Sequence, residues 1–255
     1  MLQIEFKPLN HTAEQIFLQA KTCRSLIERS MPSECLEAWG KHPFSITQPD
    51  ARLVGLAERA IGPLSPTTKA CLRGPQPISY HLKNGRLILR LRQQEPELAE
   101  AIGRKFTDVL VASSFGQGRW ELDYSVLPAP SLKLANHEAE FLLARLDLPV
   151  PEGVLLDEIA DAEPYVAQAI LAEQINQAFL ADDPADALHY LEPARLFVRC
   201  ERGEVQHSNE RDHGLRLHAF TGVRLVANVT TEGYVSIGRS VTHGHGMLFK
   251  PQDLS

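Results

Sequence analysis

Cysteine is scarce and scattered in this chain. Cys23, Cys35, Cys71 and Cys200 stand far apart, and no two fall at CxxC or zinc-ligand spacing. That argues against a zinc ribbon or a dithiol centre and for reduced, structural thiols. Long apolar runs are missing too. None approaches the ~20 residues of a membrane-spanning helix, so no membrane role is expected. The opening MLQIEFKPLN reaches Glu5 and Lys7 before a signal-peptide core can form, and a cytoplasmic location is expected. No GK[ST] follows a glycine-rich run, which removes the nucleotide-hydrolase phosphate loop, and no GxSxG occurs. What remains is an ordinary globular composition, 44% hydrophobic and 23% charged over 255 residues. That suffices for one large domain or two small ones.

The net charge of −6 is unevenly spread. Residues 135–193 hold thirteen Asp/Glu against a single cation, Arg145. Residues 1–134 hold seventeen Lys/Arg and thirteen Asp/Glu, and residues 194–255 hold eight and six, with five of the ten histidines. Two mildly basic flanks therefore bracket an acidic segment. Because a partner feels the local field rather than the chain total, the flanks are open to an anion.

Apolar periodicity gives the coarse order. LQIEF (2–6) alternates as a strand does. His11 to Ser30 reads as a helix, with Ile16, Ala20, Cys23 and Ile27 at three- and four-residue steps. Residues 31–77 are rich in Pro and Gly, with a short helical piece near 51–60. In ISYHLKNGRLILRLR (78–92), Asn84-Gly85 marks a tight hairpin. That turn pairs Leu82 with Leu87, Tyr80 with Leu89 and Ile78 with Leu91 on an apolar face. Ser79, His81, Lys83, Arg86, Arg90 and Arg92, with Ile88 among them, take the other. This basic face is either a solvated sheet surface or a nucleic-acid surface. Pro96 to Asp108 reads as a helix, and DVLVAS and RWELDYSVL as strands. The first half thus runs β-α-β-β-α-β, the ferredoxin-like order, which RNA-recognition motifs share.

The acidic segment 135–193 reads as helical, first HEAEFLLARL and then AEPYVAQAILAEQINQAFLA. Pro164 sits near the start of the second helix, where proline is favoured, and Val166, Ile170, Ile175 and Phe179 form part of its apolar stripe. From Ala194 the pattern returns to strands: RLFVRC, GLRLHAF, GVRLVANV, GYVSIG and GMLFK. The predicted class is α+β: two ferredoxin-like units, 1–134 and 135–255, the second carrying an acidic helical insert at 135–193.

The tail IGRSVTHGHGML (237–248) places Gly238, Gly244 and Gly246 beside Arg239, His243 and His245. Glycines let a backbone approach a ligand closely, and the cations point to an anionic one. His243 and His245 have HxH spacing, but no acidic residue stands at a ligand spacing nearby, so no metal is expected. The histidines either meet phosphates and bases or pack the loop.

GRSVTHGHG (238–246) resembles the glycine-rich loop of the RAMP superfamily, and more closely that of the CRISPR repeat-processing endoribonucleases. LRLHAFTGVRLVANV (215–229) is similar to the strand pair that precedes that loop. The nearest group is the processing subunit of type IV CRISPR systems. The resemblance implies binding of CRISPR repeat RNA and metal-independent cleavage with no cofactor, in which a 2′-OH attacks the adjacent phosphate. It also implies other subunits of a CRISPR effector complex as partners. A non-catalytic RNA-binding scaffold is the alternative, and a metal-dependent hydrolase using His243 and His245 a third. The chemistry needs proton transfer and stabilisation of a dianionic phosphorane. The first helix carries Lys21, Arg24 and Arg29 where the family commonly has a histidine. The candidate catalytic set is therefore Arg24 and Arg239 as a phosphate clamp, with His42 for proton transfer. Arg86, Arg90, Arg92, Gly238, His243, Gly244, His245 and Gly246 are the candidate RNA contacts.

Overall fold

The structure is a computed structural model that describes residues 2–8, 51–72, 78–83, 86–91, 100–101, 103–105, 122–127, 130–179, 181–212, 214–239 and 245–254. The chain divides into two compact units. Among the described residues, the first holds 2–8 and those between 78 and 127, and the second holds 51–72, 130–239 and 245–254.

In the first unit, β1 (Leu2–Pro8), β2 (Ile78–Lys83), β3 (Arg86–Leu91) and β4 (Leu122–Leu127) make one antiparallel sheet in the order β2-β3-β1-β4. That is the ferredoxin-like strand order. The hairpin register is the one the Asn84-Gly85 turn predicts: Leu82 opposite Leu87, Tyr80 opposite Leu89, Ile78 opposite Leu91. β1 continues the same apolar face, with Ile4 opposite Leu89 and Phe6 opposite Leu87. Both Ile4 and Phe6 are fully buried. Ile88, at the centre of the basic face, is also fully buried, so that face is not uniformly solvated. Residues 100, 101 and 103–105 are helical, within the helix expected over 96–108. The Tyr124 hydroxyl on β4 donates to Glu100 at 2.6 Å and ties that helix to the sheet. The helix expected over 11–30 and the DVLVAS strand lie outside the described residues.

The second unit corrects the helical reading of 135–193. HEAEFLLARL is not a helix. It is the middle of β5 (Ser131–Pro151), a 21-residue strand. β5 pairs antiparallel with β7 (Leu215–Glu232), which pairs in turn with β6 (Val198–Asp212), giving the order β5-β7-β6. Leu, Ala and Glu favour helix locally, but pairing along nearly the whole of β7 overrides that preference. The expected strands GLRLHAF and GVRLVANV fuse into the single strand β7. The rest of the acidic segment is helical in part. A reciprocal capping box between Glu158 and Asp161 opens a 3₁₀ turn, Ile159–Ala162, that feeds α3 (Glu163–Ala178). Pro164 lies in its first turn, and Val166, Ile170 and Ile175 are buried. The Glu163 carboxylate accepts from the Cys200 N–H at 2.7 Å, and Gln177 accepts from the Leu132 N–H at 2.8 Å, so α3 is tied to β6 and β5.

Two helices earlier in the chain also pack in this unit. α1 (Ala51–Ile61) covers the piece expected near 51–60 and buries Leu53 and Ala57. α2 (Pro66–Cys71) has Ser65 as N-cap, its hydroxyl accepting from the Thr68 N–H, with Pro66 in the first turn. The buried Thr67 hydroxyl donates to the Pro149 carbonyl of β5 at 2.7 Å, and Ser65 donates to Gln168 of α3 at 2.8 Å.

β5 leaves one edge unpaired by β7, and the glycine-rich tail lines it. Phe249 exchanges both backbone hydrogen bonds with Leu142, and Arg239 bridges to Asp147. The full order is therefore β6-β7-β5-tail. It repeats the first unit's order, with a broken segment in place of the fourth strand.

Candidate nucleic-acid interface

The centre of the site is Asp147. Along β5, positions 145 and 147 share one face because side chains alternate. The Arg145 Nε donates to Asp147 Oδ1 at 2.8 Å. His245 arrives from the tail, 98 residues later in sequence, and its Nδ1 lies 2.7 Å from Asp147 Oδ2. Each carboxylate oxygen thus holds a different partner. The Asp147 side chain is 1% exposed, Arg145 41% and His245 26%, so a buried anion anchors two partly exposed groups.

Backbone bonds fix the tail at the same place. The Arg239 N–H donates to the Asp147 carbonyl at 2.7 Å, and the Gly246 N–H donates to the Arg145 carbonyl at 2.7 Å. Within the tail, the Ile237 N–H donates to the Gly246 carbonyl at 2.9 Å. The Arg239 guanidinium reaches the end of α2 and donates to the Ala70 carbonyl at 2.5 Å. Helix ends carry unpaired carbonyls and a partial negative charge, so a cation suits that position.

Two glycines make this seating possible. Gly238 has φ +81°, and a Cβ there would lie 2.6 Å from the Asp147 carbonyl oxygen. Gly246 has φ +73°, and a Cβ there would lie 1.8 Å from the Ile237 oxygen. Both sites combine left-handed backbone with contact against main chain, which excludes any side chain. Their glycines give the tail its shape, independently of any ligand.

The candidate residues divide accordingly. Gly238, Arg239, His245 and Gly246 come together on the β5 edge. Arg86 and Arg90 occupy β3 register positions opposite Lys83 and Ser79 in the first unit. Arg24, His42, Arg92, His243 and Gly244 lie outside the described residues. Asp147 was missed from sequence, and Arg145 was noted only as the lone cation of an acidic segment. The signal was present as Arg-x-Asp, but it places two side chains on one face only in a strand. Among the described residues, no three His, Cys, Asp or Glu side chains gather closely enough to hold a metal ion.

A second charged cluster on the same sheet differs in kind. Arg224 donates to both oxygens of Glu140, at 2.9 and 2.7 Å, and lies 3.3 Å from Glu201. The guanidinium beside it holds the Glu140 carboxyl below the usual carboxylate range. Arg224 is thus paired with two carboxylates, whereas the single carboxylate of Asp147 holds Arg145 and His245, and Arg239 meets Asp147 through its backbone.

No family profile and no curated protein matches the chain. Solved structures do. The chain is similar to Csf5, a CRISPR-Cas type IV Cas6 crRNA endonuclease, with a TM-score of 0.52 and 14% identity over 98% of both chains. It is also similar to a Cas6b crystal structure (TM-score 0.38, 11% identity, 98% of this chain and 99% of that one) and to a Cas6-related protein from Pyrococcus furiosus (0.39, 12%, 99% of both). The likeness to Csf5 shows the fold: the chain has a double ferredoxin-like architecture.

Proposed function

We propose that this chain is a CRISPR RNA-processing endoribonuclease. It binds the hairpin of a CRISPR repeat and cleaves precursor CRISPR RNA by attack of a 2′-OH on the adjacent phosphate. No metal takes part, and the product stays bound. The observation that carries this reading is the tail, a glycine-shaped segment seated on a strand edge with Arg239, Arg145 and His245 around Asp147. The whole-chain likeness to a crRNA endonuclease supports it.

In this reading Arg24 and Arg239 clamp the scissile phosphate and offset the charge of the phosphorane, a task suited to a planar, permanently charged guanidinium. His42 serves in proton transfer. Arg86, Arg90 and Arg92 contact the RNA backbone, with His243, Gly244 and the rest of the tail closer to the cut. The protein works in the cytoplasm, alongside other subunits of a CRISPR effector complex.

One observation favours the non-catalytic scaffold instead. The Arg239 guanidinium already donates to Ala70, a structural task that holds the tail to α2. Labelled type IV repeat hairpins incubated with the protein in excess EDTA separate the readings. Cleavage to a 2′,3′-cyclic phosphate and a 5′-OH supports the endonuclease, and in that case Arg24→Ala abolishes cutting while the protein still folds. Tight binding without cleavage supports the scaffold, and cleavage that requires added metal overturns the mechanism.

A further inference from the structure

A histidine held by a buried carboxylate is a familiar device for orienting a proton-transfer group. The Asp147–His245 pair has its geometry. The contact runs through Nδ1, so Nε2 lies on the opposite side of the ring. Asp147 is itself fixed, because its other oxygen holds Arg145 and its carbonyl holds the Arg239 N–H. His245 is fixed as well, since the next residue donates from its backbone to Arg145 and tolerates no side chain. Strand, carboxylate and imidazole thus form one rigid constellation, with the ring still a quarter exposed. A packing role for His245 would not require this. A purely structural ion pair to Asp147 is already supplied by Arg145.

We propose that His245 is the general acid of the cleavage step and that Asp147 is its positioning residue. The proposal rests on the endoribonuclease reading above. In the step, the 2′-oxygen forms a bond to phosphorus and its proton passes to a base, the part of the proton transfer that His245 does not take. The bond from phosphorus to the 5′-oxygen breaks, and that oxygen takes the proton from His245 Nε2. Asp147 accepts from Nδ1 throughout and offsets the charge of the imidazolium before transfer. The ring regains its proton from water. This gives the tail a chemical task beyond RNA contact, in a chain whose segment 11–30, expected from sequence to be helical, carries arginines where the family it resembles commonly has a histidine.

A leaving-group substitution tests the assignment. A 5′-sulfur at the scissile phosphate leaves as a thiolate and needs no acid. Single-turnover cleavage is compared on the natural repeat RNA and on the 5′-sulfur RNA, at the bond the wild type cuts. His245→Ala is expected to slow the natural substrate by about 10²–10⁴, the usual worth of general acid catalysis, and to cut the sulfur substrate near the wild-type rate. His245→Gln keeps a donor toward Asp147 and should behave the same way, which removes misfolding as an explanation. Asp147→Asn should show a smaller defect with the same sulfur rescue and unchanged RNA binding. Equal slowing on both substrates, or no slowing on either, overturns the acid role while leaving the endonuclease reading standing. A wild-type protein that cuts no repeat RNA overturns both.

Discussion

The two sheets share one strand order and end it differently. In the first unit the fourth position is β4, a regular strand paired with β1 from Gln3 opposite Leu127 to Pro8 opposite Leu122. In the second unit the fourth position is the tail, whose described residues touch β5 at Asp147, Arg145 and Leu142 through isolated bridges and single bonds, with Leu248 turning to Val235 instead. A regular strand spends its backbone groups on the ladder and sends alternate side chains to either face. A broken one frees main chain and brings side chains such as Arg239 and His245 to the sheet edge. In the proposed reading the cut is made at the irregular edge, while the regular sheet offers Arg86 and Arg90 to the RNA backbone.

Gly246→Ala should break that difference most severely. It adds backbone strain and a clash with the Ile237 carbonyl, together about 4 kcal/mol. Thermal melting should show the loss, and repeat cleavage should fail with it. Ile88→Ala attacks the regular sheet instead. Truncating this fully buried side chain should cost about 3 kcal/mol in a denaturant titration. The folded fraction should nonetheless keep its cleavage rate, because no residue of the tail is touched. Thr67→Val removes the buried hydroxyl that holds α2 to Pro149, for about 1 kcal/mol. A modest fall in Tm should accompany a small loss of cleavage, since α2 also receives Arg239. The smallest effect is a null one. Burial, with Glu163 nearby, pushes the Cys200 thiol up to about 12. Its thiolate is therefore absent at neutral pH, and alkylation at pH 8 followed by peptide mapping should leave Cys200 unmodified until the protein unfolds.

Local chemistry was readable in the sequence where it decided structure alone. Asn84-Gly85 fixed the β2-β3 register, and the 3.6-residue stripe with Pro164 fixed α3. The tail was legible as a glycine-rich, cationic loop. HEAEFLLARL (137–146) reads as a helix because β5 buries Phe141 and Leu143 on one face and then Leu146 on the other, at the start of a run, 146–150, that is buried throughout. A burial pattern that changes face imitates helical spacing. Only pairing with β7, more than 60 residues away, reveals the strand. That error hid the site, because Asp147 meets His245 only when 145 and 147 share a strand face beside the tail.

If RNA is cut at the irregular edge, as proposed, two arginines of one sheet should differ. Arg239 lies in the tail, and Arg224 is paired with Glu140 and Glu201 on the strand surface. Single-turnover cleavage of a repeat hairpin should fall about 10²–10³-fold in Arg239→Ala, the usual cost of losing one donor to a developing charge, and stay near wild type in Arg224→Ala. Equal rates for the two variants, or a greater loss in Arg224→Ala, would contradict the account.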